Sequence, residues 1–391
     1  MRIAIVAQNL VYGDGQGRIN LEIARQALRA GHEVTLVSVV VDPELVRLGA
    51  TWEVVKVRKW PILLRVAHFP LVANRIIDRL RAEDRIDFVI ANGYTLTRPH
   101  DVNLCQFVHS AWKQTEIYKT SARNNVDRFY QSFYTNYNAY HEVRSYRAAR
   151  TVVAPSWQTV NELRNLGFGD QKLQMIPNGV DCTEFSPGRE DRKAMGLPEG
   201  VPMILFVGDV RTNRKGLGSL LQAMTMLPEV HLAVVGKSTG SPFIQLAHDL
   251  NVAERTHFLG FRREVPTIMR MCDLFVFPSW YDPFGLVVTE ALACGLPVVT
   301  TGTCGAGELL MPACGTVVRQ PPSDTAALAG AIREWIDDPF RRIKAGALCR
   351  AIAQNNGWVT MARHYLDLLA PARAAAEENQ SAPPPAALLP N

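Results

Sequence analysis

A chain of 391 residues is too long for one ordinary hydrophobic core and predicts two domains of roughly 150–200 residues each. Its 47% apolar and 20% charged content is that of a soluble globular protein, and no apolar run approaches the ~20 residues that a membrane helix needs. A net charge of +5 is too mild to imply a nucleic-acid or membrane partner, and seven cysteines without a C-x-x-C pair or zinc-spaced histidines argue against a metal site or disulfide framework. A reducing, cytoplasmic setting fits that cysteine usage.

Arg2 to Ala7 reads as a strand rather than the start of a signal peptide. Gln8 to Gly17 is a loop holding Gly13, Gly15 and Gly17. Ile19 to Ala30 has helical apolar spacing and ends at Gly31, and Glu33 to Val40 is the next strand, completing a βαβ unit. A dinucleotide fingerprint is rejected here: Asn20 stands where the third glycine of G-x-G-x-x-G belongs, and no acid ends the second strand. Residues 56–85 mix apolar side chains with Lys56, Arg58, Lys59, Arg65, Arg75, Arg79, Arg81 and Arg85. This pattern suits either peripheral contact with an anionic membrane or a core-facing helix with a solvated basic face.

Phe88 to Ala91 and Asn103 to Val108 are predicted strands, the second ending at His109. A histidine at a strand end is more often structural than functional unless its neighbours give it a ligand. Trp112 to Arg150 is rich in tyrosines and amides. It reads as a sugar-acceptor groove or as a helical hairpin with tyrosines in its core, and it carries no nucleic-acid motif. Thr151 to Pro155 is a strand, Ser156 caps a helix over Gln158 to Leu166, and Leu173 to Ile176 is another strand. The loop Phe185 to Gly200, with two prolines and two glycines, is the best linker. The expected division is 1–178 and 179–356, with a last helix in 357–371 packing back on the first domain and a proline-rich, disordered tail in 372–391.

The second half repeats the strand–loop–helix pattern. Met203 to Val207 leads into a loop holding Arg211, Arg214 and Lys215 before Gly216. Such a cluster either neutralises a diphosphate or lies solvated on the surface. Gly236-Lys237-Ser238 and Gly260-Phe261 follow two further strands and are expected to line a nucleotide cleft. The apolar run Leu274 to Phe277 reads as a buried parallel strand, Leu286 to Ala293 as a helix closed by Gly295, and Leu296 to Thr300 as the next strand. A ligand of such a unit sits beyond the strand's C-terminal end. Free backbone N–H groups at Phe284 and Gly285 can meet an anion there. Asp282 and Glu290 flank them, either as ligand-gripping carboxylates or as a helix cap and a solvated side chain.

Asp282 to Glu290 resembles the acidic-x7-acidic signature of retaining nucleotide-sugar glycosyltransferases of family four, which have the two-domain GT-B architecture. Three further stretches resemble that family in the same order: Gly15 in the N-terminal glycine-rich loop, Gln106-Phe107-Val108-His109-Ser110, and the junction Ala154-Pro155-Ser156 with Ile176-Pro177-Asn178-Gly179-Val180-Asp181. Lys215-Gly216 also matches, and Glu308 keeps the acid of a glycine-rich loop. The departures are Asp282 in place of the usual Glu and Asp209 in place of a phosphate-binding Arg, whose role falls to Arg211 or Arg214. The resemblance implies an α/β fold of two Rossmann-like doubly wound parallel sheets facing a deep cleft. It implies transfer of a hexosyl group from a UDP- or GDP-linked sugar to a glycan or lipid-linked acceptor, with retention, front-face attack and no metal or other cofactor. Gly15, Arg211, Arg214, Lys215 and the backbone of Phe284 to Val287 would hold the donor phosphates, Glu290 the ribose, and His109, Asp282 and Lys215 would serve the chemistry. A nucleotide-sugar 2-epimerase of the same architecture and a non-catalytic nucleotide-sugar binding protein are the alternatives.

Overall fold

The computed structural model describes residues 1–13, 15–57, 62–120 and 124–369, with residues 62–63 followed by their backbone alone. The tail at 372–391, the end of the predicted last helix and Arg58 to Pro61 of the basic segment lie outside these residues. Two parallel sheets carry the fold. The first runs, in spatial order, Thr51–Val54, Glu33–Ser38, Arg2–Val6, Phe88–Asn92, His100–Leu104, Ala149–Ala154 and Leu173–Met175. The second runs Thr256–Gly260, His231–Val235, Met203–Val207, Leu274–Phe277, Val298–Thr301 and Gly315–Val318.

Each sheet reverses its order once, beside its first strand. In the first sheet the reversal falls between Arg2–Val6 and Phe88–Asn92, in the second between Met203–Val207 and Leu274–Phe277. The two strands at the second reversal are apolar throughout because helices cover both faces: Met203–Val207 and Leu274–Phe277 bury every residue. A reversal leaves two neighbouring loops diverging to opposite faces, and the crevice between them is where open α/β sheets bind ligands.

The chain crosses between the domains and returns. Helix Gly15–Arg29 buries Ile19, Ile23 and Ala27 along one stripe, and the last described helix, Trp358–Asp367, lays Met361, Ala362 and Tyr365 into the same core. Each fully buried side chain of this size contributes on the order of 2 kcal/mol. Val180 pairs with Gly357 where the outgoing and returning segments meet.

Several local expectations are corrected. The first helix begins at Gly15 rather than Ile19, so the glycine-rich stretch is partly its first turn. The strand placed at Asn103 to Val108 is His100–Leu104, and Cys105 to Val108 is an extended passage into helix His109–Gln114. Its polar start is tolerated because the buried His100 ring bonds the Arg98 carbonyl (2.8 Å) and the Asn103 amide (2.9 Å). Arg192, in the expected linker, bonds the carbonyls of Met271 and Val201 and the Asp273 carboxylate, which fixes that segment to the second domain. Helix Asn125–Ala148 hides its tyrosines only in part: Tyr146 is in the core, but Tyr130 and Tyr140 are exposed while the polar stripe Thr135, Asn138, Glu142 and Ser145 is buried. Helix Ile62–Ala82 does face the core, through Phe69, Ala73, Ile77 and Leu80.

Candidate functional site

The crevice at the second sheet's reversal is a cleft of about 420 Å³ between the two domains. Its second-domain wall is made by the loops after Met203–Val207 and Leu274–Phe277. These loops lie in direct contact, since a Cβ on Gly216 (φ +82°) would stand 1.9 Å from the Pro278 carbonyl oxygen. This contact brings Lys215 to Asp282. Their side chains form an ion pair in which both partners are largely buried. Desolvation pushes the Lys215 ammonium below its ordinary range, and the Asp282 charge opposes that shift. The other Asp282 oxygen accepts from the Phe284 N–H at 3.3 Å, so this carboxylate caps the turn and grips the lysine at once.

Gly285 (φ +91°) then turns the chain into helix Leu286–Ala293. A Cβ there would lie 2.7 Å from Cys304 Sγ, so only glycine fits. The first-turn N–H groups of Leu286 and Val287 have no preceding carbonyl and line the cleft with the positive end of the helix dipole. Arg214 lines it too, donating to the Tyr281 carbonyl at 3.3 Å with its guanidinium carbon 6.0 Å from the Phe107 ring centre. Gly15 closes the cleft from the first domain, against Leu286.

Not every expected residue arrives here. Arg211 is exposed and does not line the cleft. The turn that carries it is closed by Asp209, which accepts from the Arg211 N–H (3.0 Å) and the Thr212 hydroxyl (2.7 Å). Of the two candidates for the missing arginine, Arg214 is the one in the cleft. Lys237 and Phe261 are also absent from its lining, and Phe261 is exposed. Glu290 sits one turn below the helix start, and its carboxylate has no hydrogen bond or ion pair among the described residues. Burial pushes its carboxyl up to about 7; nearby Glu184 adds to the shift and Arg18 opposes it.

A second pocket, about 370 Å³, lies at the first sheet's reversal. It is lined by amides, among them Gln8, Gln16, Asn92 and Gln106, together with His109 and Glu142. His109 opens its helix with both its backbone N–H and its ring tied to Glu142: N to Oε1 at 2.8 Å and Nδ1 to Oε2 at 2.6 Å. Glu142 thus holds the imidazole through Nδ1 and leaves Nε2 uncommitted among the described residues. A wider opening of about 660 Å³ shares His109 and Phe107 with this pocket and Arg214 with the second-domain wall of the cleft.

Two residues that shape the site were missed by sequence reasoning, Glu142 and Tyr281. Glu142 orients His109 from 33 positions away. Tyr281 crosses between the domains, its hydroxyl 2.8 Å from Glu162 and 3.2 Å from the Val108 carbonyl while accepting the Val108 N–H at 3.3 Å. Glu308, singled out from its glycine-rich loop, does not line the cleft and instead caps the first-domain helix Trp157–Asn165, accepting from the Trp157 and Gln158 N–H groups at 2.8 and 2.7 Å. A buried polar stripe on an otherwise aromatic helix was the available signal for Glu142; Tyr281 had none.

Comparison with known proteins matches each half of the chain to a family description. Residues 13–184 match the model described as Glycosyltransferase Family 4, and residues 188–356 match Glycosyl transferases group 1. The chain belongs to the family-four type of glycosyltransferases. A D-inositol 3-phosphate glycosyltransferase of Xylanimonas cellulosilytica is 32% identical over 242 residues, 58% of each chain. The lipopolysaccharide glucosyltransferase WaaG of Escherichia coli K12 is 30% identical over 209 residues, 50% of this chain and 52% of that one. The chain thus spans little more than half the length of these curated relatives. Solved structures extend the likeness of fold. A WaaG crystal structure covers 94% of this chain and 99% of its own at a TM-score of 0.71 and 20% identity. Anabaena HepE in complex with UDP-glucose covers 95% and 99% at 0.68 and 20%. The architecture of this family member is therefore GT-B.

Proposed function

We propose that the protein transfers a hexosyl group from a nucleoside diphosphate sugar to a glycan or glycolipid acceptor, with retention at the anomeric carbon. The observation that carries this reading is the convergence of Lys215, Arg214 and the helix N-terminus at Leu286 and Val287 on one cleft. Breaking the anomeric C–O bond leaves its electron pair on the departing diphosphate. Paired cations and fixed dipoles in a partly dry cleft are suited to that growing charge. The neighbouring complex with UDP-glucose and the glucosyltransferase WaaG favour a UDP-hexose as the first donor to try.

In this reading the acceptor hydroxyl attacks from the face that the diphosphate leaves, the new C–O bond forms there, and the proton passes to the leaving phosphate oxygen. The step draws on no metal. His109, held by Glu142, offers Nε2 to a donor-sugar hydroxyl, and Asp282 accepts from others while holding Lys215. Glu290 accepts from the ribose. A cytoplasmic enzyme in peripheral contact with anionic lipid completes the proposal: no described helix is long and apolar enough to cross a membrane, while Ile62–Ala82 exposes Leu64 and Leu71 beside Arg75.

The test is release of nucleoside diphosphate from a panel of UDP-, GDP- and ADP-sugars without acceptor. Slow hydrolysis of one donor, abolished in Glu290→Ala and Lys215→Ala, supports the reading and names base and sugar. A panel with neither turnover nor binding sinks it.

A further inference from the structure

The pocket at the first sheet's reversal contains a cation that nothing in the described protein uses. Arg65 reaches it from helix Ile62–Ala82. Its Nε is buried without a hydrogen-bond partner, and no carboxylate among the described residues forms an ion pair with its guanidinium. A buried donor of this kind costs on the order of 1–3 kcal/mol when left unmade, more when charged, so a bound group that satisfies it gains correspondingly.

The rest of the lining excludes an internal partner. The pocket's one carboxylate, Glu142, has both oxygens committed to His109. Gln106 exchanges two hydrogen bonds with Asn178, at 2.9 and 3.3 Å, and Asn92 donates to Asn20 at 3.1 Å. Apart from Arg65, His109 and Glu142, the polar side chains that line the pocket are neutral amides and hydroxyls. Amides recognise hydroxyls, whereas a planar guanidinium is matched by a carboxylate or phosphate, which it can engage through two parallel bonds. The pocket also touches the donor side, since Gln16, Gln106 and Phe107 line both spaces.

We propose that this pocket binds an acceptor carrying an anionic group, phosphate or carboxylate, on a hydroxyl-rich ring, with the anion on Arg65 and the hydroxyls among the amides. This rests on the transferase reading for the identity of the ligand as an acceptor, but the anion site is defined by Arg65 itself. The ring then presents a hydroxyl toward His109 and the donor cleft, and a neutral sugar of the same size leaves Arg65 unsatisfied.

The experiment is calorimetric titration of glucose 6-phosphate, glucuronate and methyl glucoside into the full chain, repeated with Arg65→Gln, Arg65→Lys and Lys215→Ala. At least one anionic sugar should bind about tenfold or more tighter than methyl glucoside, and the arm that does so tells phosphate from carboxylate. Arg65→Gln should erase that preference, Arg65→Lys should keep part of it, and Lys215→Ala should keep it whole, which separates this pocket from the donor phosphate site. If Arg65→Gln melts early, the Arg65→Lys result decides. Equal binding of charged and neutral sugars by the unaltered chain, or a preference that survives in Arg65→Gln, overturns the proposal. The donor panel keeps the two readings apart: anion preference without donor turnover retains the Arg65 site and removes the transferase, and turnover without anion preference does the reverse.

Discussion

The two sheets reverse in the same way but furnish their crevices differently. At the second reversal the chemistry is carried by backbone and by a matched pair: helix N–H groups, the Gly216 and Gly285 turns, and Lys215 against Asp282. At the first reversal it is carried by long side chains, amides with His109 and an unmatched Arg65. A diphosphate has one shape and one charge whatever it carries, so backbone geometry can be built around it. A site made of side chains can change its ligand by single substitutions, which suits the more variable partner of a transfer reaction.

The strongest way to break the contrast is at Lys215. Lys215→Ala removes the buried cation and strands Asp282, and turnover should fall ~10²–10³-fold, read as nucleoside diphosphate release. A loss under tenfold would mean that the helix N-terminus and Arg214 suffice. Gly285→Ala comes next, because a Cβ would meet Cys304 in a left-handed backbone. It should cost ~1–3 kcal/mol in denaturant unfolding and abolish donor binding.

Glu290 sharpens the comparison through pH. Its carboxyl stands at about 7 in the ligand-free protein, and ribose hydroxyls donate best to the ionised form. Donor affinity should therefore fall as pH drops below 7, roughly tenfold per unit, with proton release on binding near pH 6. Glu290→Gln should flatten that profile. Stability runs the other way. A raised carboxyl favours the fold only below its ordinary range, and the benefit is lost as pH rises through about 7, so Glu290→Gln should raise the melting temperature at pH 8 and leave it nearly unchanged at pH 4. Tyr281→Phe should cost about 1 kcal/mol by freeing Glu162 and the Val108 carbonyl from the domain contact. Arg211→Ala, outside the cleft, should change turnover less than about twofold.

Much of the fold was legible because parallel strands buried on both faces read as continuous apolar runs. Met203–Val207 and Leu274–Phe277 were placed to the residue, and the family signatures fell on the loops that follow. His100–Leu104 was misplaced because its polar side chains are satisfied by tertiary bonds that no local pattern announces. Lys215 and Asp282 were each legible singly, but their pairing depends on Gly216 pressing against Pro278. Tyr281 meets Val108 across 173 positions, and Arg65 matters through the partner it lacks, so neither could be seen in one sequence.

The most direct measurement is calorimetric titration of UDP, GDP and ADP into the unaltered chain, Lys215→Ala and His109→Ala. One nucleoside diphosphate should bind the unaltered chain, about tenfold or more weaker to Lys215→Ala and within about twofold to His109→Ala. Equal losses in the two variants, or no binding by the unaltered chain, would contradict the assignment of the second sheet's crevice to the donor.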